Sequence, residues 1–278
     1  MTRSASDLGA DPVTRAGAPA RARRRREHPF LARIAVFAAV LVVWELVRLT
    51  GIVPAGLVPS PLDVLGALPG VLGGAALWQE LGATLSGALE GFAASLVVGV
   101  PLGLLIGRSK LAERSTRLVF DFVRSFPTIA LLPVLLLLFG ATTLMKSIVV
   151  FLACVWPVLL QTMYGCMRLD PAVEDTVRAY LIPRRLVYWR VILPNAVPFI
   201  ATGVRLAATT SVLVAIAVEV LASVDGLGRA ITDAQTGDAT PTAYVYIFLG
   251  GVLGYLINKG AHAAERRLLR WRPPASGE

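Results

Sequence analysis

Six apolar runs constrain this chain more than any other feature. They lie near residues 31–49, 83–106, 119–139, 147–165, 196–221 and 242–257. A helix needs roughly 17–25 apolar residues to cross the hydrocarbon core of a bilayer. Backbone amides cannot stay unpaired in lipid, so helix is the default for every run. The third run and the sixth are the weakest by length. The third also opens with Asp121 and Arg124 and breaks at Phe126-Pro127. The expected fold is all-α, a membrane protein with about six transmembrane helices.

Composition excludes the main alternatives. Hydrophobic residues make up 55% of the 278 and charged residues 16%, whereas soluble domains carry about 25% charged residues. The mean hydropathy is +0.67. The net charge is +9, but the basic residues fall in clusters between the apolar runs and do not form a nucleic-acid footprint, so no nucleic-acid partner is expected. Cys154 and Cys166 stand twelve residues apart in one run, too far along a helix to bridge. His28 and His262 stand alone, and no metal-ligand spacing exists. No cofactor is expected.

Lys and Arg set the orientation. Alternate segments hold 23 of the 27 basic residues, against three in the intervening ones, with Arg205 inside the fifth run. By the positive-inside bias both termini face the cytoplasm. Residues 1–30, with the run Arg23 to Arg26, read as a disordered basic cytoplasmic arm. The rival reading, a signal sequence of twin-arginine type, lacks an A-x-A-like cleavage site and is followed by further spans. Residues 31–260 form the expected membrane domain, and 261–278 a basic cytoplasmic tail.

Small residues recur at every fourth position of the second run: Gly87, Gly91, Ser95, Gly99, Gly103 and Gly107. Such a ridge lets another helix approach closely. Pro101 interrupts this helix and is a candidate kink. Glu45, Glu90 and Glu219 fall within or beside apolar runs, and a carboxylate facing lipid is costly, so they are expected to face protein or water. Glu45 and Glu219 have the alternative of the outer interface. The run 140–147, GATTLMKS, imitates a phosphate-binding loop, but Met145 replaces its second glycine and the run follows a membrane helix, where it is expected to lie outside the cell. A nucleotide cradle needs a strand and a flexible glycine turn. The chain therefore carries no ATPase site of its own.

The most informative connection is 170–194, between the fourth and fifth runs. Asp170 can cap a helix and Pro171 suits its first position. Val173, Val177 and Tyr180/Leu181 then recur at helical spacing. Pro183 is expected to stop that helix. A second short helix follows, and Leu193-Pro194 is expected to end it. Two short amphipathic helices at a bend make a compact knob, with a plain amphipathic loop on the lipid surface as the bland alternative.

Here the chain resembles the inner-membrane permeases of binding-protein-dependent ATP-binding-cassette importers. That family carries an E-A-A-x3-G loop followed by I-x-L-P. The end, WRVILPNAVPFIATGVRLA, matches well. At the start Asp175 takes the Glu position, Thr176 and Val177 the two Ala positions, and Leu181 the Gly position, while Arg178 and Tyr180 fit the variant of the sulfonate, taurine and nitrate branch. LVPSPLDVLGAL, LEGFAASLVVGVPLGLLIGRS, FVRSFPTIALLPVLLLLFG and VAIAVEVLASVDGLGRAITDA resemble other segments of that branch.

The resemblance implies a cytoplasmic coupling-helix loop that docks on separate ABC ATPase subunits, a second permease copy (the same chain or a different one), an extracytoplasmic substrate-binding protein, and a bacterial inner-membrane location among lipid. It implies ATPase coupling through Glu174, Asp175, Arg178, Tyr180, Leu181, Pro183, Arg184 and Arg185. Without the glycine, the bend at Leu181-Ile182-Pro183 is expected to differ from the family's. An ion-coupled secondary transporter or a membrane scaffold remains the other reading. No internal repeat supports the former, and no clustered acid, base or nucleophile supports an enzyme.

Overall fold

The computed structural model describes residues 29–52, 54, 56–125 and 127–270. The N-terminal arm, apart from residues 29 and 30, and the last part of the tail lie outside the described residues. Every regular element among them is helical. In order these are α1 (Pro29–Leu49), α2 (Pro61–Gly73), α3 (Ala75–Gly107), α4 (Lys110–Ser125), α5 (Leu132–Phe139), α6 (Thr143–Met167), α7 (Pro171–Ala179), α8 (Arg184–Val187), α9 (Leu193–Ala222), α10 (Leu227–Thr236) and α11 (Thr240–Leu268). Among the described residues, four helical stretches are long and apolar enough to cross a membrane: Ala75–Gly107, Thr143–Met167, a stretch within Arg184–Thr236, and Thr240–Leu268.

The core is a sandwich of α3, α6 and α9 with α6 in the middle. Ala88, Val150, Cys154, Val158, Ala207, Val212 and Ala215 form its centre, all buried. The glycines of α3 permit this packing. A Cβ on Gly103 would lie 2.7 Å from the carbonyl oxygen of Leu159, and one on Gly107 2.8 Å from that of Met163. Gly91 faces Val150, and Gly99 faces Val158. Residue numbers rise together on the two helices, so α3 and α6 run parallel. On α9 they fall as those of α6 rise, from Gly165 beside Phe199 to Lys146 beside Glu219, so α9 is antiparallel.

Parallel neighbours require the chain to return between them. Phe120 of α4 packs on Leu159 and Met163 toward one end of α6. Leu132, Leu135 and Leu136 pack on Met145 and Val149 at the other. The return path leaves α4 at Ser125, resumes at Pro127, passes through a 3-10 turn (Thr128–Leu131), and ends in the eight residues of α5. At Pro101 α3 continues as one helix.

A correction concerns Leu193-Pro194. The helix does not end there. It runs from α8 through a π-helical turn, Tyr188–Ile192, directly into α9. Proline lacks an N–H and its ring crowds the carbonyl four residues back, and a local π-turn absorbs such a mismatch without stopping the helix. At the C-terminus α11 continues to Leu268, so the boundary expected between membrane domain and tail falls inside a helix.

Candidate functional site

The knob opens with Asp170, whose Oδ1 accepts from the Ala172 amide at 2.9 Å. Pro171 occupies the first helical position of α7. The helix ends at Ala179, ahead of Pro183, so proline is not what stops it. The Leu181 amide donates to the Arg178 carbonyl and the Ile182 amide to the Val177 carbonyl, both at 3.2 Å. This is a Schellman termination, in which the residue after the cap turns left-handed and glycine is usual. Leu181 fills that place with φ +47°. The backbone at Leu181 thus adopts the conformation that glycine favours, and Leu181 bears the strain, about 1–2 kcal/mol for a residue with a Cβ.

That turn thrusts Leu181 and Tyr180 outward, 87% and 78% exposed. Glu174 and Arg178 pair with each other at 2.6 Å on the flank of α7, and Asp175 is exposed beside them. Pro183 precedes α8, on which Arg184 and Arg185 are exposed. Asn195 Nδ2 donates to the Arg168 carbonyl at 2.6 Å and ties the two ends of the knob together. The structure thus gathers all eight sequence-predicted coupling residues in one protrusion.

The opposite end of the bundle holds a polar centre. Lys146 Nζ donates at 2.8 Å to each of Glu219 Oε1, the Ala83 carbonyl and the Asp225 carbonyl. Glu219 Oε2 accepts from Thr84 Oγ1 at 2.9 Å and from the Gly228 amide at 3.0 Å. Thr84 Oγ1 accepts from the Leu227 amide at 2.9 Å, and Glu80 accepts from the Gly226 amide at 2.6 Å. The free amides that begin α10 thus meet carboxylates and a hydroxyl, as the positive end of a helix dipole favours. Gly226 leaves no room for a side chain because the Glu219 carboxylate occupies it, and Gly228 leaves none because the Ile216 carbonyl and Glu219 Cβ do.

A binding-protein-dependent transport system inner membrane component matches residues 99–270, a span that includes the knob, Lys146 and Glu219. The chain belongs to this permease family. A probable ABC transporter permease protein of Brucella abortus is 30% identical over 239 residues, covering 86% of this chain and 94% of that protein. The putative aliphatic sulfonates transport permease protein of Escherichia coli is 31% identical over 234 residues, covering 84% and 89%. Among solved structures, the MetNI methionine ABC transporter in inward-facing conformations contains a chain with TM-score 0.56 and 17% identity, covering 69% of this chain and 95% of that one. The fold is shared with that chain.

In this permease the six small residues of α3 are all buried. Five are glycines that meet α6, and the sixth, Ser95, returns its hydroxyl to the Phe92 carbonyl at 2.6 Å. Lys146 is a correction: it belongs to the first helical turn of α6, fully buried, and not to an exposed loop. Glu219 faces protein and is likewise fully buried. Glu90 is exposed and accepts from Ser147 Oγ at 2.7 Å, and Glu45 pairs with Arg48. Sequence reasoning treated Lys146 and Glu219 apart because 73 residues separate them. The one available signal was an unexplained Glu seven residues before a Gly-Leu-Gly turn.

Proposed function

We propose that this permease forms, with a second permease copy, the translocation path of an ATP-driven importer for a small sulfonate-, taurine- or nitrate-like solute. ATP is hydrolysed on separate ATPase subunits that receive the knob, and the solute is delivered by an extracytoplasmic binding protein. The carrying observation is the Leu181 turn. Two large apolar side chains stand nearly bare at the tip of a rigid, capped protrusion, with charges at its rim, which is the anatomy of an interface core and rim. The basic clusters support the orientation, with the knob and both termini cytoplasmic. The segments resembling the sulfonate, taurine and nitrate branch support the solute class.

Closure of the ATPase would push on the knob, and the continuous helix through the π-turn carries that push into α9 and so to the α3–α6–α9 sandwich. The test is co-purification with the cognate ATPase together with solute uptake. Truncating a buried anchor commonly costs about 2 kcal/mol or more of binding. Tyr180→Ala or Leu181→Asp should detach the ATPase or uncouple transport, while the protein still inserts. Glu174→Gln, at the rim, should be milder. Intact ATPase binding and uptake in Leu181→Asp would return the segment to a plain surface loop. Unchanged uptake of sulfonates, taurine and nitrate in cells lacking this permease would remove the solute assignment.

A further inference from the structure

A cavity of about 550 Å³ lies on the side of the knob that faces the bundle. Three guanidinium-bearing residues line it: Arg108, immediately after α3, and Arg184 and Arg185 of α8. Tyr188 and Trp189, in the π-turn, supply aromatic wall, and Val177 and Ile182, the two residues joined by the Schellman bond, supply apolar wall. Arg108 also lies over the Tyr188 ring, 5.8 Å from its centroid. No carboxylate lines the cavity. Among the described residues none of the three arginines has a carboxylate within ion-pair distance, whereas Arg178, on the same knob, is paired to Glu174. The exposed tip, Tyr180 and Leu181, is not part of the lining, while Arg184 and Arg185 are shared with the coupling set.

Three cations converging on one space without a counter-charge repel one another and attract an anion. Guanidinium forks match tetrahedral phosphate oxygens in a way that a lone ammonium does not. The cavity also stands where α3 ends and α9 begins, at the membrane end of two long apolar helices, which is where the headgroups of a bilayer lie. Basic pockets at that depth on the inner face hold anionic headgroups. We infer that this cavity binds the phosphate of an anionic phospholipid headgroup from the adjacent leaflet, with the arginines on the phosphate and the aromatic and aliphatic wall against its glycerol. The bound lipid would brace the knob against α3 through Arg108. This inference does not depend on the solute, and its test uses the permease without the ATPase, so that its outcome is separate from that of the docking described above.

Native mass spectrometry on the full chain in detergent tests it, with phosphatidylglycerol, phosphatidylcholine and inorganic phosphate as separate titrants. One phosphatidylglycerol should bind per chain in preference to phosphatidylcholine. Arg108→Gln should weaken it by about tenfold, as expected for loss of a charge-assisted contact, and Arg108→Lys by less. Arg267→Gln, an exposed cation at the end of α11, should leave it unchanged. Val177→Trp, which fills the cavity while keeping every charge, should abolish binding, and it serves if Arg108→Gln does not fold. Equal phosphatidylglycerol affinity in the wild type, Arg108→Gln and Val177→Trp overturns the site. Equal weakening by Arg267→Gln overturns it too, since only diffuse charge attraction would remain. Displacement of the lipid by millimolar inorganic phosphate, with the same Arg108 dependence, overturns the lipid source and assigns the cavity to a soluble phosphate compound.

Discussion

Lys146 and Glu219, 73 residues apart in sequence, meet at 2.8 Å with both side chains fully buried. Each has its remaining valences satisfied by backbone or Thr84. The pair joins α6 to α9, and its shared partners add α3 and the start of α10. Desolvating two charges is expensive, and attraction offsets it only where hydrogen bonding is complete.

Removal of one partner should therefore be severe. Lys146→Met or Glu219→Leu is expected to lower stability by about 3–5 kcal/mol by stranding a buried charge. The double variant should recover much of the loss. The exchange Lys146→Glu with Glu219→Lys should not, because glutamate at 146 would face the Ala83 and Asp225 carbonyls, and lysine at 219 would face the Gly228 amide. Thermal unfolding of the four proteins in one detergent decides this. A rescue by the exchange would mean that only the charge pair matters and not its hydrogen-bond surroundings.

The glycines divide into two classes. Gly103→Ala places a methyl 2.6 Å from Thr162 Cβ and 2.7 Å from the Leu159 carbonyl, so α3 must move off α6 and stability should fall. Gly251→Ala, on α11, meets nothing within 4 Å and should be neutral or stabilising by roughly 0.5–1 kcal/mol through helix propensity. Melting temperatures of the two variants should move in opposite directions or differ clearly.

Leu181→Gly is expected to relax the left-handed turn. The gain is limited to about 1 kcal/mol, because glycine also frees the unfolded chain. Leu181→Val should lose stability, since a β-branched side chain suits φ +47° less well. Hydrogen exchange at the Leu181 and Ile182 amides, which carry the Schellman bonds, reports the difference locally. Faster exchange in Leu181→Gly than in the parent would refute the strain.

The orientation proposed from basic residues predicts that a reporter fused after Gly74 appears outside the cytoplasm and one fused after Pro183 inside. The reverse at either position would break the six-span arrangement.

The existence of long helices was legible from sequence because lipid leaves the backbone no other choice, and the apolar runs came within a few residues of α1, α6 and α9. The knob was legible because its caps are local: Asp170, Pro171 and the bend at Leu181 act within one or two turns. Small residues every fourth position announced a close contact on α3, but not with which helix or in which direction. Tertiary structure decided that α3 and α6 run parallel, that α4 and α5 lie on the return path between them, and that the helix passes through Pro194 by widening to a π-turn. It also decided the fate of the charges. Lys146 and Glu219 each look exposed or orphaned in sequence, because local pattern carries no information about a partner on another helix. Only packing brings such groups together, and only packing removes the water that makes their pairing matter.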